Sequence, residues 1–501
     1  MDAPSPIDDN VLTERISDLE SAKVFDPQVL AELESFVRKA DDYHLFRINP
    51  IQYGSNTGLS EADAIELFIH AAKVGLFEMD WLLICAYCPQ VAGSFRELDQ
   101  VHPRFQCEFC NANNDVALDD YIQVTFTVSE KVRDIIFHHP EALSVEDYYL
   151  RYNFSKGFKP PGGMTPEQIV ALLSRQFADI EAHEQRTFDF DVTAGRFEVL
   201  DLSHNLLLVF FADGEPAEPQ RTLIQLDDGR FLVPDRTIGP RDMVLGDGRF
   251  SFRQTADLSP GKHTIQIENR MDERGRFWII QYPPGFEPHL VEYEPFLSGK
   301  RLLLTPSFGE LYKTQLVNEG EGLTVSDITY LFTDLKESTP LYDSVGDVNA
   351  YFLVRQHFEI LNEIIRKRSG TIVKTIGDAV MAAFERSQDA VCAGIEMIEE
   401  LTRFNQTASR PLGLKIGIHK GQSIAVTLND RIDYFGQDVN IAARVQGLAD
   451  VDEVCITEAV MTAPGVDDVL KSHAVSRDYV HLKGVGQKME IHRIAITHAG
   501  S

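Results

Sequence analysis

No apolar run in this sequence approaches the roughly 20 residues that a membrane-spanning helix requires. The stretch from Leu206 to Ala212 is among the longest and reads as a strand. Positive charge is also short: 47 Lys and Arg stand against 77 Asp and Glu, a formal net charge of −30. That deficit argues against a nucleic-acid-binding surface and makes any polyanion site a local exception. The N-terminus, Met1-Asp2-Ala3-Pro4-Ser5-Pro6-Ile7-Asp8-Asp9, lacks the basic start and apolar core of a secretory signal. The expected compartment is the cytoplasm, with no integral membrane segment. Internal repeats and low-complexity tracts are missing, and cysteine is scarce, 6 in 501 residues.

Four of those cysteines are not scattered. Cys85-Ala86-Tyr87-Cys88 and Cys107-Glu108-Phe109-Cys110 form C-x2-C-x18-C-x2-C. Four thiolates at this spacing suit one tetrahedral, structural Zn²⁺ with no open position, a zinc ribbon. Two disulfides, four buried thiols and a redox C-x2-C are the alternatives. Without a secretion signal the disulfides are disfavoured, and two matched knuckles favour one shared ion. No Lys/Arg cluster accompanies them, so the expected role is a fold staple. Cys392 and Cys455 stand alone and read as ordinary buried thiols.

The length suggests about three or four domains. Residues 1–80 carry helical spacing: Leu12, Ile16 and Leu19 form one stripe, and Val29, Leu30, Leu33 and Phe36 another. Ser60 before Glu61-Ala62-Asp63 is an N-cap signal. Residues 81–185 hold the zinc ribbon, a strand over 120–128, a Gly/Pro loop over 157–163 and a helix over 165–184. From 186 to 295 the pattern turns β, with short strands and turns such as Asp227-Asp228-Gly229, which predict a sandwich or a barrel-like domain. A scaffold or sensor role and a small-ligand role stand level for it. Residues 296–325 read as a linker.

The sharpest chemistry lies beyond it. The strand Ile328-Thr329-Tyr330-Leu331-Phe332-Thr333-Asp334 ends in a carboxylate. A second carboxylate, Asp378, follows Gly377 in a two-residue hairpin turn between residues 371–376 and 379–384. In the first of these runs Ile372, Lys374 and Ile376 are expected on one face. Alone, each aspartate reads as a strand end or a turn residue. Together they suit a hard divalent cation, and two such ions suit in-line phosphoryl displacement. Ser338 and Thr339 stand in a loop that can offer N–H groups to phosphates.

Phe332-Thr333-Asp334-Leu335, Lys374-Thr375-Ile376-Gly377-Asp378, Asp433-Tyr434-Phe435-Gly436 and Val439-Asn440-Ile441-Ala442-Ala443-Arg444, in this order, resemble the class III adenylyl/guanylyl cyclase catalytic domain. The resemblance covers roughly residues 326–496. It implies an α+β, ferredoxin-like βαββαβ core with extensions. It implies two Mg²⁺ or Mn²⁺ on Asp334 and Asp378, with Asn440 orienting the ribose and Arg444 neutralising the α-phosphate. Lys483 matches the triphosphate-binding lysine, and Lys415 matches a position where some members carry a phosphate ligand. Metal and base-reading residues come from opposite protomers in that family, so a homodimer with two equivalent sites is implied. The region before the domain resembles the zinc-ribbon-containing region of some bacterial adenylate cyclases, which implies regulation by an unknown signal.

Base choice rests on Lys374 and Asp433. A Lys donates to adenine N1 and an Asp accepts from N6, whereas guanine reverses this edge. ATP conversion to cyclic AMP is therefore the expected reaction. A guanylate cyclase and an inactive cyclase-fold module for nucleotide binding or interaction are the rivals. Glu337 departs from the family, placing an acid where many members have Gly.

Overall fold

The computed structural model describes residues 5–22, 25–107, 112–115, 117–119, 121–245, 248–283, 292–313, 317, 321–336, 346–408, 410–428, 431–486 and 488–496. The chain divides into two compact units. The first comprises Met1–Arg96, Arg104–Asp115 and Tyr121–Leu297, and the second comprises Glu97–Pro103, Val116–Asp120 and Ser298–Ser501.

The first unit opens with helices Asp9–Ser21, Pro27–Lys39, Pro50–Thr57 and Glu61–Lys73. Each is started by a side-chain cap, from Asp8, Asp26, Asn49 and Ser60 in turn. In the second helix the buried stripe is Leu30, Leu33 and Val37, so Phe36 is replaced by its neighbour. An antiparallel sheet of Val91–Phe95, Phe77–Ile84 and Ile122–Val128 follows.

Two larger sheets make up most of the rest. One has the order Gly239–Leu245, Gly248–Leu258, Leu206–Ala212, Gly195–Asp201, Gly275–Tyr282, Ser174–Ile180. The other has the order Arg230–Leu232, Gln220–Asp227, Gly261–Asn269, Gln185–Val192. Ile180, Phe197, Leu208 and Phe277 from the first meet Ile224, Phe231 and Ile265 from the second in one core, the arrangement of a sandwich. At Asp228 and Gly229 both φ angles are positive, as a tight hairpin turn requires.

The helix expected over 165–184 is corrected. Thr165 and Gln168 form a capping box, but the helix ends at Leu173. Ser174–Ile180 is an edge strand paired with Gly275–Tyr282. Phe177 stacks on Trp278 at 5.6 Å, and the Trp278 indole N–H donates to Ser174 at 2.7 Å. Those partners lie a hundred residues away, so pairing overrides the local helical spacing.

The second unit is one mixed sheet flanked by helices. Its order is Gly370–Ile376, Ala379–Phe384, Leu323–Leu335, Leu414–Leu428, Glu453–Thr457, Met489–Ala495, Ala474–Val480, with Arg431–Phe435 also paired to Leu414–Leu428. Only Leu414–Leu428 with Glu453–Thr457 is parallel. With helices Asp347–Lys367 and Ser387–Asn405, the first four strands reproduce the ferredoxin-like βαββαβ order. The expected strands over 413–419 and 422–428 are one continuous strand. Residues of the earlier chain join this unit: Leu118 N–H donates to the Thr324 carbonyl at 3.0 Å, and Ser326 N–H donates to Asp119 at 2.8 Å.

Helix Gln437–Gln446 lies against Leu414–Leu428 at a point where only glycine fits. A Cβ on Gly417 would come 2.0 Å from the Gln446 backbone nitrogen. Gly417→Ala is therefore expected to lower the unfolding free energy by roughly 1–3 kcal/mol, the usual cost of forced overpacking. Urea denaturation of the variant beside the parent checks this.

Candidate active site

Asp334 closes the Leu323–Leu335 strand directly opposite Lys415 in the antiparallel register. Asp378 sits in the turn between Gly370–Ile376 and Ala379–Phe384, where Gly377 has φ +64°. The hairpin expected from Gly377-Asp378 is present, with glycine supplying the positive φ. Pairing of Ala379–Phe384 with Leu323–Leu335 brings the turn to the end of the strand that carries Asp334.

The two carboxylates are close enough for the charge of one to act on the other. Burial pushes the Asp334 carboxyl above its usual range, and the charge of Asp378 adds to this, while Lys415 and Gln446 oppose it. Oδ2 of Asp378 is buried without a hydrogen-bond partner among the described residues. Like charges in partial burial and an orphaned acceptor are a poor resting state. They fit a hard divalent cation, which would satisfy both.

Sequence reasoning missed His357. It is 0% exposed on helix Asp347–Lys367, and neither ring nitrogen has a hydrogen-bond partner of good geometry among the described residues. Burial pulls its pKa down to about 4, with the Asp378 charge acting in the opposite sense. The signal was a histidine four residues from both Leu353 and Leu361, inside the buried stripe of that helix.

Lys374 and Asp433 form a second group. Lys374 Nζ donates to Asp433 Oδ2 at 2.6 Å. Asp433 Oδ1 accepts from the Tyr434 N–H at 2.8 Å, and Phe435 lies 5.8 Å from the Lys374 ammonium. The simple alternation expected for this strand is corrected. A bulge between Ile372 and Lys374 pairs Ile372 with Ala382 but Lys374 with Met381. Adjacent residues of the partner strand face opposite sides, so Ile372 packs on the core and Lys374 turns away toward Asp433.

Asn440 and Arg444 share a face of helix Gln437–Gln446. The Asn440 amide donates to the Gly436 carbonyl at 3.1 Å. The turn after Lys483 crosses this face: a Cβ on Gly484 would lie 3.3 Å from Arg444 Nη1. Lys483 itself is exposed. No hydrogen bond or ion pair among the described residues joins Asp334 or Asp378 to Lys374, Asp433, Asn440 or Arg444. Glu337, Ser338 and Thr339 lie outside the described residues.

In the first unit, sulfur ligand atoms of Cys85, Cys88 and Cys107 lie within 4.8 Å of one another. Cys88 and Cys107 are 3.7 Å apart and unbridged. That separation matches the edge of a tetrahedron with Zn–S of about 2.3 Å, which is about 3.8 Å. Tyr87 N–H and the Asn114 amide point at Cys85 from 3.4 and 3.5 Å, contacts that stabilise a thiolate. Cys110 lies outside the described residues.

The two carboxylates set an expectation for stability. A carboxyl whose folded pKa is raised subtracts from stability once the pH exceeds the ordinary carboxylate range. Asp378→Asn removes one source of that shift. Its metal-free unfolding midpoint near neutral pH should rise, and the upward shift given by added Mn²⁺ should disappear. Thermal unfolding with and without Mn²⁺ measures both.

Residues 14–310 match a family described as a family of unknown function (DUF5939), and residues 323–495 match the adenylate and guanylate cyclase catalytic domain. An adenylate cyclase of Anabaena cylindrica is 27% identical over 183 residues, 33% of this chain and 36% of that protein. Adenylate cyclase 1 of Rhizobium meliloti is 26% identical over 137 residues, 24% of this chain and 21% of that protein. The chain thus spans well under half the length of these relatives. Among solved structures, the adenylyl cyclase CyaB from P. aeruginosa is 22% identical, with 36% of this chain and 98% of that chain covered and a TM-score of 0.31. Among the described residues no helix is long and apolar enough to cross a membrane. The chain belongs to the family of unknown function that residues 14–310 match, and residues 323–495 carry the adenylate and guanylate cyclase catalytic domain match.

Proposed function

We propose that this protein is an adenylate cyclase that converts ATP to 3′,5′-cyclic AMP and pyrophosphate at a homodimer interface. The observation that carries the reading is the Lys374–Asp433 pair, held at 2.6 Å beside the exposed ring of Phe435. A donor and an acceptor side by side match adenine N1 and N6, and Phe435 offers an apolar contact.

The mechanism is positioning and charge neutralisation. Asp334 and Asp378 would hold two Mg²⁺ or Mn²⁺, whose chemistry is to acidify the ribose 3′-hydroxyl and grip the triphosphate. Asn440 orients the ribose, and Arg444 makes a planar contact to the α-phosphate as charge grows there. Lys483 and Lys415 take the outer phosphates, with the loop of Ser338 and Thr339. The 3′-oxygen attacks the α-phosphorus in line and pyrophosphate departs.

The homodimer is supported by exposed apolar side chains around the base-reading pair. Ile376, Ile424, Leu428 and Phe435 are each 45–52% exposed, a patch that suits an isologous partner. A structural Zn²⁺ on Cys85, Cys88, Cys107 and Cys110 is supported by the three-sulfur cluster. Regulation by the N-terminal region is supported by the residues on either side of Cys107 that belong to the catalytic unit.

The deciding experiment incubates the purified chain with ATP or GTP and Mg²⁺ or Mn²⁺, with products identified by mass spectrometry. Cyclic AMP from ATP alone is expected, and conversion of GTP at an equal rate would overturn the base assignment. Asp378→Ala should abolish turnover while the dimer persists in light scattering. Lys374→Glu with Asp433→Cys should cut ATP use far more than GTP use. Elemental analysis should find one zinc per chain, lost in Cys88→Ser; a full zinc content in that variant would refute the site.

A further inference from the structure

The N-terminal unit carries a half-open cavity of about 190 Å³ whose lining includes Arg47, Gln90, Ser94, Tyr152, Asp201 and Asn205. That is room for a small organic molecule. Its polar groups are unusually placed. Arg47 is only 5% exposed, yet it takes part in no ion pair among the described residues. Its guanidinium lies 5.0 Å from the Phe46 ring and 5.3 Å from the Tyr152 ring, and Nη1 donates to the Tyr152 carbonyl at 2.9 Å. The charge of Asp80 acts on it, but the Asp80 carboxylate is itself engaged by Arg96 at 3.4 Å. A buried cation without a paired anion is costly.

Gln90 is 8% exposed, and its Oε1 has no hydrogen-bond partner among the described residues. It is therefore an unsatisfied acceptor at the same cavity. Asp201 does not meet these needs. Its Oδ1 accepts the N–H groups of Ser203 and Arg276, each at 3.1 Å, and its Oδ2 is bonded by His204. The backbone is also held out of its preferred region here, with φ +46° at Arg47 and +52° at Asn205. Strain of this kind collects where a side chain must be aimed.

We propose that this cavity is a binding site for a small monocarboxylate that also carries a hydroxyl or N–H donor. The carboxylate sits on Arg47 and the donor on Gln90 Oε1. One unpaired cation beside the carboxylate of Asp201 favours a single negative charge over a phosphate dianion. Gln90 also joins the site to the cysteine knuckle, because its carbonyl accepts the Cys85 N–H at 3.1 Å. The inference stands on the N-terminal unit alone and does not rest on the cyclase reading.

The test uses the full chain and glycolate, a minimal carboxylate with a hydroxyl donor. Acetate, which lacks the donor, and inorganic phosphate are compared at matched ionic strength in chloride. Calorimetric titration and the unfolding midpoint are read together. Glycolate should bind saturably, with acetate weaker by about tenfold, the size of one hydrogen bond. Arg47→Gln should lose binding of both, and Gln90→Leu should bring glycolate down to acetate. Because Arg47→Gln risks the fold, the Gln90→Leu ratio is an independent check. Absence of saturable glycolate binding, its survival in folded Arg47→Gln, or tighter binding of phosphate would each overturn the proposal.

Discussion

The catalytic unit depends on the antiparallel pairing of Leu323–Leu335 with Leu414–Leu428. The register runs from Leu323 opposite Ala425 to Leu335 opposite Leu414. It sets Asp334 against Lys415 and leaves Gly417 where the Gln437–Gln446 helix presses closest. The helix bearing Asn440 and Arg444 is therefore positioned by the same strands that position the first metal-binding candidate. A slip of one residue would turn every one of these side chains to the other face. The buried face of Leu331, Leu414, Ile416 and Ile418 resists such a slip.

Against that rigid frame, the site itself is built from groups in discomfort. Asp334 and Asp378 repel each other, and among the described residues Asp378 Oδ2 lacks a hydrogen-bond partner and the buried His357 has none of good geometry. None of these helps the fold by itself. Each becomes intelligible if a cation and a polyphosphate complete the arrangement, which is how preorganised electrostatic sites work. The bulge at Val373 belongs to the same logic. It breaks an otherwise regular strand pair to aim Lys374 at Asp433.

The N-terminal unit has a comparable division between frame and site. Beside its sandwich core lie two groups of polar side chains, the Cys85, Cys88 and Cys107 cluster and those lining the Arg47 cavity. The two are joined through Gln90. Residues on both sides of Cys107 pair into the catalytic unit, where Leu118 and Asp119 hold the start of the strand that ends in Asp334.

Much of this was legible in the sequence wherever short spacing carries the information. Two residues of turn between apolar runs specify the Asp378 hairpin, four residues of separation place Asn440 and Arg444 on one face, and paired C-x2-C knuckles announce a thiol cluster. Local backbone geometry determines the first two, and the thiol cluster is announced by the matched spacing of its two halves. What only the tertiary structure decided depends on partners far along the chain. The strand at Ser174–Ile180 read as helix because its partner Gly275–Tyr282 is distant. The bulge at Val373 is defined by register with Ala379–Phe384 and not by its own residues. His357 and Arg47 looked like unremarkable members of helical and loop segments. Their meaning comes from burial beside unsatisfied groups, and burial is settled only when distant segments close over them.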